Sequence, residues 1–135
     1  MAEQVYIYSR PKVGEVYSYR FTVVVEDPVY FKPSVFDFVK LNVKRQFPEA
    51  TRVDITEVAL DLAKTELLKR NVDFVLSFGK DIGLTHYDIV NKIKGICSQA
   101  KWSAELREVL LLTEPGFPWW LLLVIGGLYI YEKSK

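Results

Sequence analysis

This chain of 135 residues contains one cysteine and one histidine. With Cys97 alone, neither an intrachain disulfide nor a thiolate zinc site can be assembled from this chain. A reducing compartment, or a fold that needs no disulfide, fits this cysteine usage. Carboxylates would have to complete any metal shell built on His86 and Cys97, so no metal or other cofactor is expected.

An excess of charge of either sign is also missing. Eighteen Lys and Arg stand against seventeen Asp and Glu, which gives a formal net charge of +1. Dedicated nucleic-acid binders usually carry a clear basic excess, because neutralised phosphates supply most of their affinity. Nucleic acid is therefore not expected as a partner. Half of the residues are hydrophobic, so one domain with a real core can form.

No convergent catalytic motif is present. A Ser–His–Asp relay would need His86 beside a carboxylate, but Asp88 faces away from it on the predicted helix. His86 is instead expected to be a first-turn residue exposed to water. The stretch SFGKDIGLTH lacks the GxxxxGK[ST] spacing of a phosphate loop and is expected to be a turn.

An enzyme built on carboxylates is kept as an alternative. Its candidate residues are Asp54, Asp73 and Asp81. Carboxylates alone rarely suffice without a metal, so the chain is expected not to be an enzyme, and no small-molecule substrate is expected.

Alternating hydrophobic residues and helix-cap signals predict the elements of the first half. Residues 16–26 alternate and predict a strand. Ser34, with Asp37 three residues later, resembles a capping box and predicts a helix over residues 35–47, which Pro48 ends. A second strand is predicted from Thr51.

The second half is predicted in the same way. Residues 60–71 fit either a short helix or a hairpin connection, and residues 72–78 predict a third strand. Thr85 as N-cap, with Asp88 at the third helical position, predicts a helix up to about Ser98. Residues 104–113 favour a fourth strand, with a helix as the alternative.

The element order β, α, β, β, α, β is that of the split βαβ, or ferredoxin-like, arrangement. The expected fold class is therefore α+β, with a small antiparallel sheet and two helices over residues 1–113. A Pro/Gly linker at residues 114–117 and one C-terminal apolar transmembrane helix, residues 118–135, are expected to follow. Many unrelated activities share this arrangement, so it does not name a function.

The strongest functional signal is the stretch PGFPWWLLLVIGGLYIYEKSK. Residues 117–131 carry no charged side chain. A helix over residues 118–135 would be about 27 Å long, close to the bilayer core of about 30 Å. The alternatives are a segment buried in an oligomer and an ordinary core element. The first residues, with Glu3 and Gln4, do not resemble a secretory signal, so the carboxyl end is expected to reach the membrane.

Aromatic residues flank this apolar stretch at both ends, as expected at the two headgroup levels of a bilayer, and a lysine can extend its amine beyond them. These membrane-anchor residues are Trp119, Trp120, Tyr129, Tyr131 and Lys133. Gly126 and Gly127 offer a flat face for packing against another helix.

Two surface features are also predicted. Lys40, Lys44 and Arg45 share a side of the first helix, with Arg52 beyond it, and together they are candidates for contact with phosphates or lipid headgroups. A solvated helix face is the alternative. The loops VYIYSRP and PVYFKP are candidates for exposing aromatic rings to a protein partner.

We therefore expect a non-catalytic, membrane-anchored structural or adaptor subunit of a larger assembly. The assembly is either a membrane complex or a lipid-containing virion. A soluble oligomer whose apolar tails pack as a bundle is the alternative. The expected partners are the lipid bilayer and other protein subunits, including one with a transmembrane helix. The globular domain is expected to be cytoplasmic or to face the shell of a virus particle.

Overall fold

The computed structural model describes residues 3–58 and 67–112. These residues form an α+β fold, with one five-stranded antiparallel sheet and two α-helices. The strands are β1 (Glu3–Gln4), β2 (Val16–Val24), β3 (Ala50–Val58), β4 (Lys69–Phe78) and β5 (Ser103–Leu111). The helices are α1 (Pro33–Gln46) and α2 (His86–Gln99), and a 3-10 helix, Pro28–Phe31, precedes α1.

The strand order in the sheet is β1-β5-β2-β4-β3, and every pair of neighbours is antiparallel. Helix α1 therefore connects β2 to β3 across β4, and α2 connects β4 to β5 across β2. The two helices contact each other, and both contribute to one core with the sheet.

Strand β2 forms the centre of the sheet, as its alternating sequence predicts. Tyr19 and Phe21 are fully buried in the core, and the ring of Phe21 meets that of Phe74 on β4 edge to face at 5.5 Å. The strand ends at Val24, two residues before the predicted end. Asp27 follows, and its side chain accepts a hydrogen bond from the amide of Val29 to start the 3-10 helix.

The predicted cap of the first helix is wrong. Helix α1 begins at Pro33, its N-cap is Lys32, and Lys32 makes no side-chain capping bond. Proline at the first helical position needs no amide partner and already has a helical φ, so the helix starts before Ser34. Ser34 and Asp37 therefore lie inside the helix and do not form the predicted capping box.

The predicted cap of the second helix is confirmed. The side chain of Thr85 accepts from the amide of Asp88 at 3.2 Å, and the Asp88 carboxylate accepts from the amide of Thr85 at 3.1 Å. Such a reciprocal pair satisfies two amides that a helix start leaves free. Ile89, Ile93 and Ile96 are buried, as their spacing predicts.

The fourth predicted strand is confirmed as β5, and the helix alternative is wrong. Lys101 adopts a positive φ of 64° just before it, which turns the chain after α2. Trp102 is then buried, and its indole donates to the carbonyl of Tyr30 at 2.6 Å. Pairing with β2 from Tyr17 to Val24 fixes residues whose local preference is helical.

Strands β3 and β4 pair antiparallel, and Val58 pairs with Asn71. The hairpin connection, one of the two alternatives for residues 60–71, requires such a pair. Residues 59–66 lie outside the described residues. Strand β1 has only two residues and therefore carries no periodicity from which the sequence could predict it. It pairs with the end of β5, with Glu3 opposite Leu111.

The start of β2 and the ends of β4 and β5 lie together at one end of the sheet. Val16 starts β2 there, and Phe78 ends β4 and Leu111 ends β5 at the same place. The amide of Leu112, the last described residue, donates to the carbonyl of Val16 at 2.9 Å, so residue 112 lies at this end as well. We call this end of the sheet the exit end.

Neither helix in the described segments is long and apolar enough to cross a bilayer. The predicted anchor over residues 118–135 lies outside the described residues. The same holds for its flanking aromatic residues, Lys133, Gly126 and Gly127.

Candidate functional site

A basic cleft of about 450 Å³ opens between the second half of α1 and the start of β3. It is lined by Lys40, Lys44, Phe47, Pro48, Ala50, Thr51, Arg52, Val53 and Asp54. Three cationic side chains and one carboxylate are among these residues, so the lining carries a formal charge of +2. The cleft lies at the exit end, because Ala50 pairs with Phe78.

The local sequence places these cations together. Lys40 and Lys44 are four residues apart on α1 and so lie on the same side of the helix. Val43 and Phe47 are buried and fix this part of the helix to the core. Pro48 then prevents the helix from continuing, and the chain turns so that β3 begins beside α1.

Asp54 organises one side of the basic cleft. Its carboxylate lies 2.8 Å from Nε of Arg52 and 3.7 Å from Nζ of Lys40. The hydrogen bond from Arg52 and the nearby positive charges hold the pKa of Asp54 below its usual value, against partial desolvation. Asp54 is therefore ionised at neutral pH and engages two of the three cations.

Lys44 differs from the other two cations. It is exposed, and no carboxylate of the described residues lies within ion-pair distance of it. An anion entering the cleft would therefore meet an available ammonium group, with two further cations held beside it by Asp54. This arrangement suits a phosphate or a similar oxyanion.

The predicted phosphate-contact residues are partly brought together. The structure places Lys40, Lys44 and Arg52 around one cleft. Arg45 is exposed but does not line it. Their sequence spacing indicated the shared helix side, whereas the contribution of Thr51 and Asp54 depends on the turn after Pro48 and could not be predicted from helix periodicity.

The prediction that His86 is exposed to water is wrong. His86 is fully buried, its Nδ1 lies 2.8 Å from the Tyr19 hydroxyl, and its ring contacts Tyr17 at a centroid distance of 4.6 Å. Burial lowers its pKa to about 4. The first turn of α2 packs this residue onto β2, and the first segment covers it, since the His86 amide donates to the carbonyl of Ser9.

The three carboxylates of the enzyme alternative lie in separate ion pairs. Asp54 pairs with Arg52 and Lys40, as described above. Asp73 accepts two hydrogen bonds from Arg20, at 2.9 and 3.0 Å, and Asp81 lies 3.5 Å from Arg10. Within residues 3–58 and 67–112, no group of three metal-ligating side chains converges.

A tyrosine surface, made of Tyr6, Tyr8 and Tyr87, is the second candidate feature. Tyr6 and Tyr8 are 71% and 56% exposed, and Tyr87 is 44% exposed. The loop VYIYSRP therefore exposes its rings as predicted, whereas Tyr87, from the first turn of α2, had no sequence signal that distinguished it.

The other aromatic loop does not expose its rings as proposed. In PVYFKP, Phe31 is buried and only 5% exposed. It contacts the rings of Phe36 and Trp102, at centroid distances of 6.4 and 6.0 Å. Tyr30 is partly buried against the core. This loop closes the end of the sheet opposite the exit end.

Comparison of the chain with protein-family models, with curated proteins and with solved structures finds no match.

Proposed function

We propose that this protein is a non-catalytic, membrane-anchored structural or adaptor subunit of a larger assembly. The main support for this proposal is the uncharged stretch of residues 117–131, which is flanked by aromatic residues. It begins only a few residues after β5 ends at Leu111. A single-pass anchor is the environment that suits such a stretch, because a small domain has no interior that could surround it.

We also propose the split βαβ arrangement for this fold. The order β5-β2-β4-β3, with helices that connect strands across an antiparallel neighbour, supports it. The short β1 adds an edge to it. This arrangement is compatible with many functions, so the proposed role depends on the anchor and on the surfaces at the exit end.

The basic cleft supports a bilayer partner. It lies at the exit end, where the chain leaves toward the apolar stretch, and it offers Lys44 beside Lys40 and Arg52. Cationic side chains close to a membrane are attracted to anionic headgroups. In this proposal the cleft contacts headgroup phosphates, and the domain is cytoplasmic or faces the shell of a virus particle.

Alkaline carbonate extraction of membranes tests the anchor. The full chain is expected to stay in the membrane pellet, and a chain ending at Thr113 is expected to be released. In the full-length Leu123→Arg/Val124→Arg variant each arginine costs about 2.5–3.5 kcal/mol at the bilayer centre, so this variant is expected to be released as well. The matched apolar variant, Leu123→Ile/Val124→Leu, is expected to remain in the pellet.

The alternative is a soluble oligomer whose apolar segments pack as a bundle. A full chain that is soluble without detergent, and forms a defined oligomer that dissociates on truncation at Thr113, would replace the proposal by this alternative. A soluble monomeric full chain would exclude both. Purification in mild detergent, followed by identification of the co-purifying subunits, then tests the adaptor role.

A further inference from the structure

The tyrosine surface consists of three solvent-exposed rings, with the ring of Tyr8 in contact with the other two. Tyr6 and Tyr8 lie edge to face with centroids 5.5 Å apart, and Tyr8 contacts Tyr87 at 5.3 Å. Both distances are typical of favourable aromatic pairs. All three rings are exposed nonetheless, so the described residues bring them together without covering them.

Backbone pairing places this surface close to the exit end. The amide of Val5, the residue before Tyr6, donates to the carbonyl of Val109 on β5. Strand β5 ends two residues later, at Leu111. The amide of Tyr87 donates to the carbonyl of Ile7, which brings the first turn of α2 to the same segment. The tyrosine surface is therefore beside the point at which the chain leaves the sheet.

The connection to the apolar stretch is short in comparison with the domain. Residues 113–117 separate the end of the described chain from the predicted anchor helix, and five extended residues span at most about 17 Å. Strand β5 has 9 residues, so the sheet is about 30 Å long at about 3.3 Å per residue. A connection shorter than the sheet keeps the exit end, and not the opposite end, next to the membrane.

We propose that the tyrosine surface docks into the headgroup layer of the bilayer and sets the orientation of the domain on it. This inference rests on the proposed anchor. A headgroup layer is about 5–8 Å thick on each side of the hydrocarbon core, so a chain anchored by residues 118–135 holds the tyrosines within reach of it.

The side chains at this position suit the interface. Tyrosine is enriched at membrane–water boundaries because its ring is apolar and its hydroxyl can stay hydrated. Val13, which is 55% exposed, adds an apolar group on the adjacent loop. Docking thus buries the rings shallowly and leaves their hydroxyls among the headgroups.

The experiment uses the full chain in phosphatidylcholine vesicles that contain a lipid with a nitroxide-labelled headgroup. A fluorophore is attached by maleimide to Lys12→Cys, near the tyrosine surface, or to Ser103→Cys, at the opposite end of β5. The native Cys97 does not compete for the label, because it is buried and its pKa is raised to about 12 by that burial. Docking predicts several-fold stronger quenching at position 12 than at position 103.

The variant Tyr6→Ser/Tyr8→Ser/Tyr87→Ser changes only exposed rings and is expected to lose this difference. A matched control changes three exposed apolar residues at the opposite end of the sheet. The control variant is Val24→Ser/Val29→Ser/Leu68→Ser, and it is expected to keep the difference. Vesicles with added anionic lipid are expected to strengthen the quenching at position 12, because the cations of the basic cleft lie at the same exit end.

Two results would overturn the docking inference while the anchor stands. The first is equal quenching at positions 12 and 103 in a chain that resists carbonate extraction, which would leave the tyrosine surface for a protein partner. The second is an unchanged difference in the triple tyrosine variant. Release of the full chain by carbonate would instead contradict the anchor itself, so the two failures are distinguishable.

Discussion

The hydroxyl of Tyr19 lies 2.8 Å from Nδ1 of His86 and thereby joins the middle of β2 to the first turn of α2. Both side chains are fully buried. Burial lowers the pKa of His86 to about 4 and raises the pKa of Tyr19 well above its usual value, so both groups are neutral near pH 7. Nε2 of His86 has no hydrogen-bond partner within the described part of the chain.

Stability is expected to fall as the pH is lowered from about 6.5 to about 4. In this range the unfolded chain binds a proton at His86, whereas the folded chain does not, so acid favours unfolding. One pKa unit corresponds to about 1.4 kcal/mol, and the full loss is therefore about 3 kcal/mol. Urea unfolding across this range measures it. The His86→Leu variant is expected to show a flatter profile, and an identical profile would contradict the assignment.

The Tyr19→Phe variant is expected to lose about 1–2 kcal/mol of unfolding free energy, because it leaves both ring nitrogens of His86 unpaired in the core. The double variant Tyr19→Phe/His86→Leu removes both polar partners and is expected to cost less than the sum of the single changes. Urea unfolding of the four proteins in this cycle gives the coupling. Strict additivity would show that the hydrogen bond is not formed.

Arg20 is expected to be the most important ion-pair residue of the sheet. It donates to Asp73 through two bonds and to Glu108 through a third, at 2.9 Å. The Asp73 side chain is only 10% exposed, so Arg20→Gln leaves a largely buried carboxylate unpaired and is expected to cost about 2–3 kcal/mol.

Arg10→Gln is the matched control for Arg20→Gln. Its ion pair with Asp81 is exposed on both sides and is expected to contribute less than about 0.5 kcal/mol. Chemical unfolding compares the two variants at low and high salt. Equal losses would show that Asp73 is not dependent on Arg20.

Two glycines are expected to respond to alanine with opposite signs. Gly83 has a φ of +74°, where a side chain is strained, so Gly83→Ala is expected to destabilise the fold by about 1 kcal/mol. Gly95 lies on the exposed side of α2 with open space around its Cα, so Gly95→Ala is expected to stabilise it by about 0.5–1 kcal/mol. Thermal unfolding gives both signs, and a loss at Gly95 would contradict the open environment.

Anion binding in the basic cleft is expected to change in opposite directions at two positions. Lys44→Gln removes the available ammonium group and is expected to weaken the binding of inorganic phosphate. Asp54→Asn removes the negative charge beside Lys40 and Arg52 and is expected to strengthen it. Each change is expected to shift the dissociation constant several-fold at low ionic strength. Lys94→Gln on the exposed side of α2 is the control, and phosphate titrations followed by NMR measure all three.

Much of the fold follows from local patterns in the sequence. The alternation in β2 and the Thr85–Asp88 pair each specify an element and one of its boundaries without distant contacts. The start of α1 could not be predicted as reliably, because Ser34 and Pro33 both suit a helix start and only the approach of the chain decides between them. Residues 103–111 have a helical local preference that pairing with β2 overrides.

Less of the candidate site than of the fold could be predicted from the sequence. The spacing of Lys40 and Lys44 indicated a shared helix side, but the cleft itself depends on how β3 returns beside α1. The sequence predicts an exposed His86 because a residue next to an N-cap is usually exposed. Here the segment around Ser9 lies over the start of α2 and buries it, and that contact joins residues far apart in the sequence.

Strand β5 is paired on both sides where the chain leaves it, with β2 along its length and with β1 at its last two residues. In the proposed anchored form, a pull on residue 112 away from the exit end acts along the axis of this strand. Such a force loads the flanking hydrogen bonds together in shear and does not peel them apart one at a time. Pairing on both sides thus resists mechanical extraction of β5, a property that suits the anchored subunit proposed above.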